Sequence, residues 1–376
     1  MRTTAILAGL ILYSSVAMAR GVQVPPQNQQ QQQHAKKVDL VIALDTSSSM
    51  DGLIDSARAK LWDVVNLLAH ASPQPILRVG VISYGNSGYD PNAGWVRRDV
   101  ELTTNLDGVY EKLFALRTNG GEEYVARAVH DATNDLAWDQ DPSTLKIIFV
   151  AGNEPANQDP KIPVAQALAE ARQKGIFVNA IYCGSKTAGE STGWQQVAQL
   201  GHGEFAAIDQ NHVAVIATPM DAELAKLSAQ LDETYVGYGA AGGRRAQLQQ
   251  SMDASAVAAS PPAAAARASA KASSLYRNEE WDLVDARARD KKKVATMKPA
   301  DMPAPMRTMS EKERGAFLDG KAKQRADVQK RIADLSKQRD GYIASERKKS
   351  VTAHDGFDDA VTTTIKSEAT KAGFKF

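Results

Sequence analysis

A short run of small polar residues follows an apolar stretch near residue 45, and its residue types could hold a metal ion. The sequence "DLVIALDTSSSM" places Asp45, Ser47 and Ser49 at alternate positions directly after the apolar run. A carboxylate and two hydroxyls are oxygen donors, which hard divalent cations such as Mg²⁺ prefer. Serines at a helix start can instead satisfy free backbone N–H groups. The residues leave both interpretations open.

The elements that position these side chains are an alternation of strand-like and helix-like runs between Lys37 and Thr234. Runs such as "LVIAL" and "IIFV" are apolar at consecutive positions, which is typical of parallel strands covered by helices on both faces. We therefore predict an α/β fold with a doubly wound, mainly parallel sheet. Sites on such sheets lie beyond the carboxyl ends of the strands, where we expect Asp45.

Composition divides the chain into six segments. They are residues 1–19, a signal peptide; 20–36, a disordered Gln- and Pro-rich tether; 37–237, the sheet domain; 238–274, a disordered Ala/Gly/Ser-rich linker; 275–306, a short anchor segment and spacer; and 307–376, a charged helical region. In the last segment, Val328, Ile332, Leu335 and Tyr342 have coiled-coil spacing, but Arg339 interrupts them. This pattern favours a short helical hairpin over a rod.

The N-terminus predicts export. Arg2 precedes an apolar stretch over residues 5–16, and Ala17-Met18-Ala19 has the small-x-small pattern of a cleavage site. No later apolar run approaches the roughly 20 residues that a membrane span requires. We therefore expect cleavage after Ala19 and a periplasmic or secreted product without a membrane span.

Charge and motifs argue against several classes of function. The net charge is +1 and the basic residues are spread along the chain, so nucleic acid is not an expected partner. The six histidines do not occur at zinc-ligand spacing, and no Gly-x-Ser-x-Gly motif is present. The single cysteine, Cys183, lies in a strand-like run and is expected to be a buried small hydrophobe. These features favour a protein that is not an enzyme.

The Asp-x-Ser-x-Ser pattern after an apolar strand, with Met50 next and a helix beyond, resembles the first loop of the von Willebrand factor type A (VWA) domain. The resemblance covers about residues 38–236 and includes "VELTTNLDGVYEKLFALRTNGG" and "KIIFVAGNEP". It implies a metal-ion-dependent adhesion site in which Asp45, Ser47 and Ser49 hold Mg²⁺ or Mn²⁺, with Ca²⁺ as a further candidate. It also implies an open coordination position that accepts an acidic side chain of a protein ligand. The whole chain resembles uncharacterised exported bacterial VWA proteins that carry a "WDLVDA"-like segment and a charged helical tail.

Two other loops depart from the family pattern. The family usually has threonine after paired glycines, whereas Glu122 and Glu123 follow the glycines here. The family's Asp-Gly-Glu-Pro corresponds to "GNEP", which puts Gly152 on the aspartate position, or Asn153 if the loop shifts by one residue. We expect Glu122 to face Asp45 and to replace the missing charge. The predicted metal ligands are Asp45, Ser47, Ser49, Glu122 and Asn153.

The sequence thus predicts an exported binding or adhesion-type protein that engages a protein partner through a VWA domain with a modified metal site. One alternative is a metal-dependent hydrolase or other enzyme that uses the strand-end carboxylates. Another is a metal-free scaffold that binds through its C-terminal helices. Metal content separates the first two from the third, and turnover separates the enzyme from the binding protein.

Overall fold

The computed structural model describes residues 36–208, 216–349 and 356–376. The strands are β1 (Lys37–Asp45), β2 (Ile76–Tyr84), β3 (Val96–Thr103), β4 (Leu145–Gly152), β5 (Ile176–Cys183) and β6 (His202–Ile208). The helices are α1 (Asp51–Ala69), α2 (Leu106–Ala115), α3 (Val125–Asp135), α4 (Val164–Gln173), α5 (Lys186–Ser191), α6 (Trp194–Leu200), α7 (Asp221–Asp232), α8 (Gly239–Ala259), α9 (Pro261–Ala272), α10 (Leu283–Arg289), α11 (Glu311–Lys349) and α12 (Gly356–Lys371). The predicted signal peptide and all but the last residue of the predicted tether lie outside the described residues.

The six strands form one sheet in the order β3-β2-β1-β4-β5-β6. Only β3 is antiparallel to its neighbour; the other pairs are parallel. Leu40 and Leu44 of β1 face a core that includes α1, α2 and α12, while Val41 and Ala43 face a core that includes α3, α4 and α6. Burial on both faces explains the consecutive apolar residues and confirms the predicted doubly wound fold.

The segment predicted as a disordered linker, residues 238–274, is instead folded into α8 and α9. Most of α9 is buried, including the charged side chains of Arg267 and Lys271. Alanine has the highest helix propensity, and its small side chain lets α9 pack closely against its neighbours. The prediction is wrong here because an alanine-rich composition does not reveal that two basic residues find buried acidic partners.

Helix α11 is one continuous helix of 39 residues, which corrects the predicted hairpin. Its Val328 and Ile332 pack in a cluster with Leu residues of α7. Arg339 does not interrupt this face, because its Nε donates to Asp221 Oδ1 at 2.9 Å in a buried contact. A charged residue therefore continues the buried face instead of ending it.

The "WDLVDA" segment joins the end of the sheet domain to α11. Asp282 is fully buried, and its carboxylate accepts hydrogen bonds from Val236 N at 2.6 Å and from Arg325 Nη1 at 2.7 Å. The Arg325 guanidinium also lies over the Tyr235 ring, 4.1 Å from its centroid. The segment thus attaches α11 to the end of the sheet domain through buried contacts.

The last helix of the chain, rather than α7, packs on the sheet domain. Helix α7 contacts α9 and α11, whereas α12 contacts α1 and β6. Val361, Ile365 and Ala369 of α12 belong to the core on the α1 face of the sheet. After α12, Lys375 pairs with Ser72 in an antiparallel bridge. The C-terminal helical region therefore completes the packing of the sheet.

Candidate functional site

The loop after β1 holds Asp45 and the serines at the carboxyl edge of the sheet. Asp45 is fully buried, and its Oδ1 accepts a hydrogen bond from Ser47 N at 2.8 Å. The Ser47 and Ser49 hydroxyls lie 3.3 Å apart. Helix α1 begins at Asp51, and its N-cap position, Met50, makes no side-chain capping hydrogen bond. None of the three serines therefore occupies the N-cap position of α1.

The hydrogen bonds of Asp45 only partly offset the cost of burying its negative charge. Burial raises the pKa of Asp45 to about 7, and hydrogen bonds from Ser47 offset this only in part. The negative charges of Glu123 and Glu154 raise the pKa of Asp45 further. Its Oδ2 atom is buried and has no hydrogen-bond partner. A carboxylate in this position is stabilised by a proton or by a cation.

The loop after β4 contributes Asn153 and Glu154. The Asn153 side-chain amide donates to Ser49 Oγ at 3.2 Å, while its Oδ1 atom is buried without a hydrogen-bond partner. The carbonyl oxygen of Glu154 accepts a hydrogen bond from Trp194 Nε1 at 2.7 Å, which fixes the loop to α6. The structure thus brings the predicted ligand Asn153 together with the serines.

Gly152 occupies the position where the family has aspartate, and the structure leaves no room for a side chain there. A Cβ atom on Gly152 would lie 2.6 Å from Tyr84 Oη and 3.0 Å from Asp45 Oδ2. The Tyr84 hydroxyl donates to Ala151 O at 2.9 Å, which holds the ring in this space. Tyr84 and Gly152 therefore fill together the volume that an aspartate would need.

The loop before α3 brings Glu123, rather than Glu122, to the site. A Cβ atom on Gly85 would lie 2.7 Å from Asp45 Oδ1 and 2.9 Å from Glu123 Cγ, so the two acidic side chains flank the same glycine. Burial raises the pKa of Glu123 and the Ser47 side chain lowers it, which places Ser47 near the Glu123 carboxylate. Glu122 is exposed. This corrects the predicted pairing of Glu122 with Asp45. The local sequence does not distinguish which of two adjacent glutamates points inward.

The arrangement fits a hard divalent cation. The oxygen atoms of Asp45, Ser47 and Ser49 lie together at the strand end, and Asn153 is hydrogen-bonded to Ser49. The carboxylates of Glu123 and Glu154 are near enough to add to the rise that burial causes in the pKa of Asp45. No group of three or more His, Cys, Asp or Glu side chains suited to a metal occurs in the described ranges. Hydroxyl and amide oxygens would therefore complete the ligand set. The two unpartnered buried oxygens, Asp45 Oδ2 and Asn153 Oδ1, are the donors that such an ion would satisfy.

The family model described as von Willebrand factor type A domain matches residues 39–215. This range contains β2 to β6, β1 from residue 39 onward, and all the loops of the candidate site. The comparison with curated proteins found no match.

Several solved structures are similar to slightly less than half of this chain. Proximal thread matrix protein 1 from the mussel byssus, with a zinc-occupied MIDAS motif, has 12% identity and a TM-score of 0.36 over 46% of this chain. The pilus adhesin SpaC from Lactobacillus rhamnosus GG has 17% identity and a TM-score of 0.34 over 47% of this chain. The SpRpn10 VWA domain has 12% identity and a TM-score of 0.35 over 46% of this chain. The matched regions span 42%, 28% and 88% of those three chains, respectively.

Proposed function

We propose that this chain is a binding protein that engages a protein partner through its strand-end site, because residues 39–215 match the family model of the von Willebrand factor type A domain. The observation that carries the proposal is the pair of buried oxygens without partners, Asp45 Oδ2 and Asn153 Oδ1, beside two serine hydroxyls. Buried polar atoms are almost always hydrogen-bonded in folded proteins, so their presence supports a ligand.

The residues that would hold a divalent cation are Asp45, Ser47 and Ser49, with Asn153 on the opposite loop. Mg²⁺, Mn²⁺ or Ca²⁺, when bound, would offer a coordination position to an acidic side chain of the partner. Asp45 supplies the negative charge that opposes the ion, and the Ser47 backbone N–H holds its carboxylate in place. The exposed side of Ser49 opens the site to solvent and to a partner.

A binding role is favoured over catalysis by the groups at the site. The charged groups that act most strongly on Asp45 are the carboxylates of Glu123 and Glu154. Cys183 is buried, and burial raises the pKa of its thiol, which suppresses the nucleophilic thiolate. We therefore propose that the chain is not an enzyme. The alternative of a metal-dependent hydrolase predicts cation-dependent turnover with ester, phosphoester or peptide substrates.

We propose that the protein is exported, on the basis of the N-terminal signal over residues 1–19. That segment lies outside the described residues. In the ranges that the structure describes, no helix has the length and apolar character needed to cross a bilayer. Periplasmic and secreted locations both agree with the proposed signal.

The test is chemical cross-linking of the purified protein to an extract of its native cell envelope, with and without a chelator. We expect a cross-linked partner that is lost with chelator and lost in Asp45→Ala. Asp334→Ala, which makes the same change at an exposed position on α11, is the control and should retain the partner. A partner that survives both the chelator and Asp45→Ala would instead support a metal-free scaffold that binds through the C-terminal helices.

A further inference from the structure

We infer that Glu123 occupies the strand-end site from within, and that an acidic side chain of a partner must displace it. The inference rests on the proposed function, because it concerns the coordination position that the partner's acid would take. Glu123 would then be a specificity-determining residue that keeps weak acidic ligands out of the site.

The loop that carries Glu123 packs closely against the end of β2. A Cβ atom on Gly121 would lie 2.7 Å from both Gly85 O and Ser87 N, so only glycine allows this close approach. The contact is reinforced by a 2.6 Å hydrogen bond from Ser87 N to Gly120 O. The loop is thus fixed against the end of β2, and Glu123 follows directly at the site.

The Glu123 side chain lies close to the proposed metal ligands Ser47 and Asp45. Its carboxylate lies near Ser47, which partly offsets the rise that burial causes in the pKa of Glu123 and whose backbone N–H also holds Asp45. Glu123 and Asp45 also approach the same side of Gly85, where a Cβ atom would contact both. An internal carboxylate therefore already lies against two of the proposed ligands.

The charged side chains around Glu123 are acidic. The acidic side chains of Asp45 and Glu123 approach the same point beside Gly85. Glu154 and Glu122 add further negative charge near Glu123. Carboxylates held this close need a positive charge between them. A cation at Asp45 supplies that charge, so Glu123 is drawn inward when the ion is bound. A partner's carboxylate would meet the same repulsion, so the two acids exclude each other.

The neighbouring glutamate provides a matched control. Glu122 has the same charge and lies one residue away, but its side chain is exposed. Removing the charge of Glu122 changes the local field without opening the site, whereas removing the Glu123 carboxylate does both. A comparison of the two separates coordination by Glu123 from a general effect of negative charge.

The experiment measures water-proton relaxation of bound Mn²⁺ in the intact chain, with acetate as the carboxylate probe. Four proteins are compared: the wild type, Glu122→Gln, Glu123→Gln and Glu123→Ala. We expect Mn²⁺ to bind all four, and the relaxation enhancement to rise in both Glu123 variants by the contribution of one coordinated water. Acetate should then displace that water with a dissociation constant about tenfold lower than in the wild type, equivalent to about 1.4 kcal/mol.

Each other result is decisive. Equal relaxation and equal acetate affinity in all four proteins would overturn the inference, although the proposed cation site would stand. Loss of Mn²⁺ binding in both Glu123 variants would also overturn it, because Glu123 would then be a permanent ligand and not a displaceable one. A wild type that binds none of Mn²⁺, Mg²⁺ and Ca²⁺ would refute the proposed cation site and the inference with it.

Discussion

Two regions of the molecule bury charged side chains, and they differ in whether those charges are paired. Beneath α9, Arg267 donates to Asp107 Oδ1 at 2.7 Å, to Asp253, and to Gln249 O at 3.1 Å. Its guanidinium also lies 4.8 Å from the centroid of the Trp62 ring. At the strand end, by contrast, Asp45 Oδ2 has no partner, and the nearest charges are negative.

This difference separates a structural network from a site that needs a ligand. A buried charge with partners on every side keeps the helical region attached to the sheet domain and leaves nothing for a ligand to satisfy. A buried carboxylate among other carboxylates is stabilised only by something from outside, either a proton or a cation. The two regions should therefore respond differently to substitution, to pH and to divalent cations.

Arg267→Ala should cause the largest loss of stability, about 3–5 kcal/mol. It removes the charge partner of the buried Asp107 carboxylate and leaves Asp253 paired with Lys271 alone. The loss should be the same with and without divalent cations. Urea denaturation monitored by fluorescence measures it. Arg331→Ala, which removes an exposed arginine 3.5 Å from Glu223, is the control and should cost at most about 1 kcal/mol. Similar midpoints for the two variants would show that the buried network is not structural.

Asp45→Asn should stabilise the cation-free protein at high pH. The pKa of Asp45 is raised from 3.8 to about 7 in the folded state. The folded protein therefore loses stability as the pH rises from about 4 to about 7, by at most about 4 kcal/mol. Asparagine does not ionise, so the variant should match the wild type near pH 4 and exceed it above pH 7. Denaturation in the presence of a chelator measures this, and a difference that does not change with pH would contradict the argument.

Glu368 is a second buried acidic residue without a hydrogen-bond partner. It lies where α12 packs on the sheet and not at the strand end. It is 3% exposed, and neither carboxylate oxygen has a hydrogen-bond partner. Burial raises its pKa from 4.5 to about 7. Docking of α12 should therefore weaken between pH 4.5 and 7, by at most about 3 kcal/mol. Hydrogen exchange of α12 amides at pH 5 and pH 8 measures this.

The pH dependence of α12 exchange should disappear in Glu368→Gln. The groups that act on Glu368 are Asn179 of β5, Glu204 of β6 and Lys371 of α12 itself. Glu111→Gln, at an exposed position on α2, should leave the pH dependence unchanged. If both variants behave like the wild type, Glu368 does not control the docking of α12.

Gly152→Asp should destabilise the protein by about 1–3 kcal/mol, although it restores the residue usual in the family. The new side chain would meet Tyr84 Oη, which lies 2.6 Å from the Cβ position. Adding Tyr84→Phe removes this atom and should recover part of the loss. Thermal melting of the single and double variants measures both effects. A stable Gly152→Asp protein with improved Mg²⁺ binding would contradict this account of the glycine.

The sequence could predict the fold where one physical signal dominated. Consecutive apolar residues in β1 and β4 indicated a parallel sheet buried on both faces, and the spacing of Asp45, Ser47 and Ser49 indicated their common loop. The inward direction of Glu123 could not be predicted, because it depends on the close approach of Gly121 to Gly85. No local pattern distinguishes one of two adjacent glutamates.

The C-terminal region was harder to predict because its buried face is built from charged and small residues. Arg267 and Lys271 interrupt the apolar residues of α9 in the sequence, and Arg339 interrupts those of α11. Each of the three is nevertheless buried against an acidic partner that is distant in the chain. Hydrophobic periodicity cannot detect a core whose members are ion pairs and alanines. Pairing over such distances is visible only in the structure.

The most direct test of the strand-end site is the melting temperature of the wild type and of Asp45→Ala across millimolar Mg²⁺, Mn²⁺ and Ca²⁺. Binding to the folded state alone adds about 2.7 kcal/mol at a hundredfold excess over the dissociation constant. We expect at least one cation to raise the melting temperature of the wild type and none to raise that of Asp45→Ala. A wild-type melting temperature that stays constant across all three cations would contradict the proposed metal site.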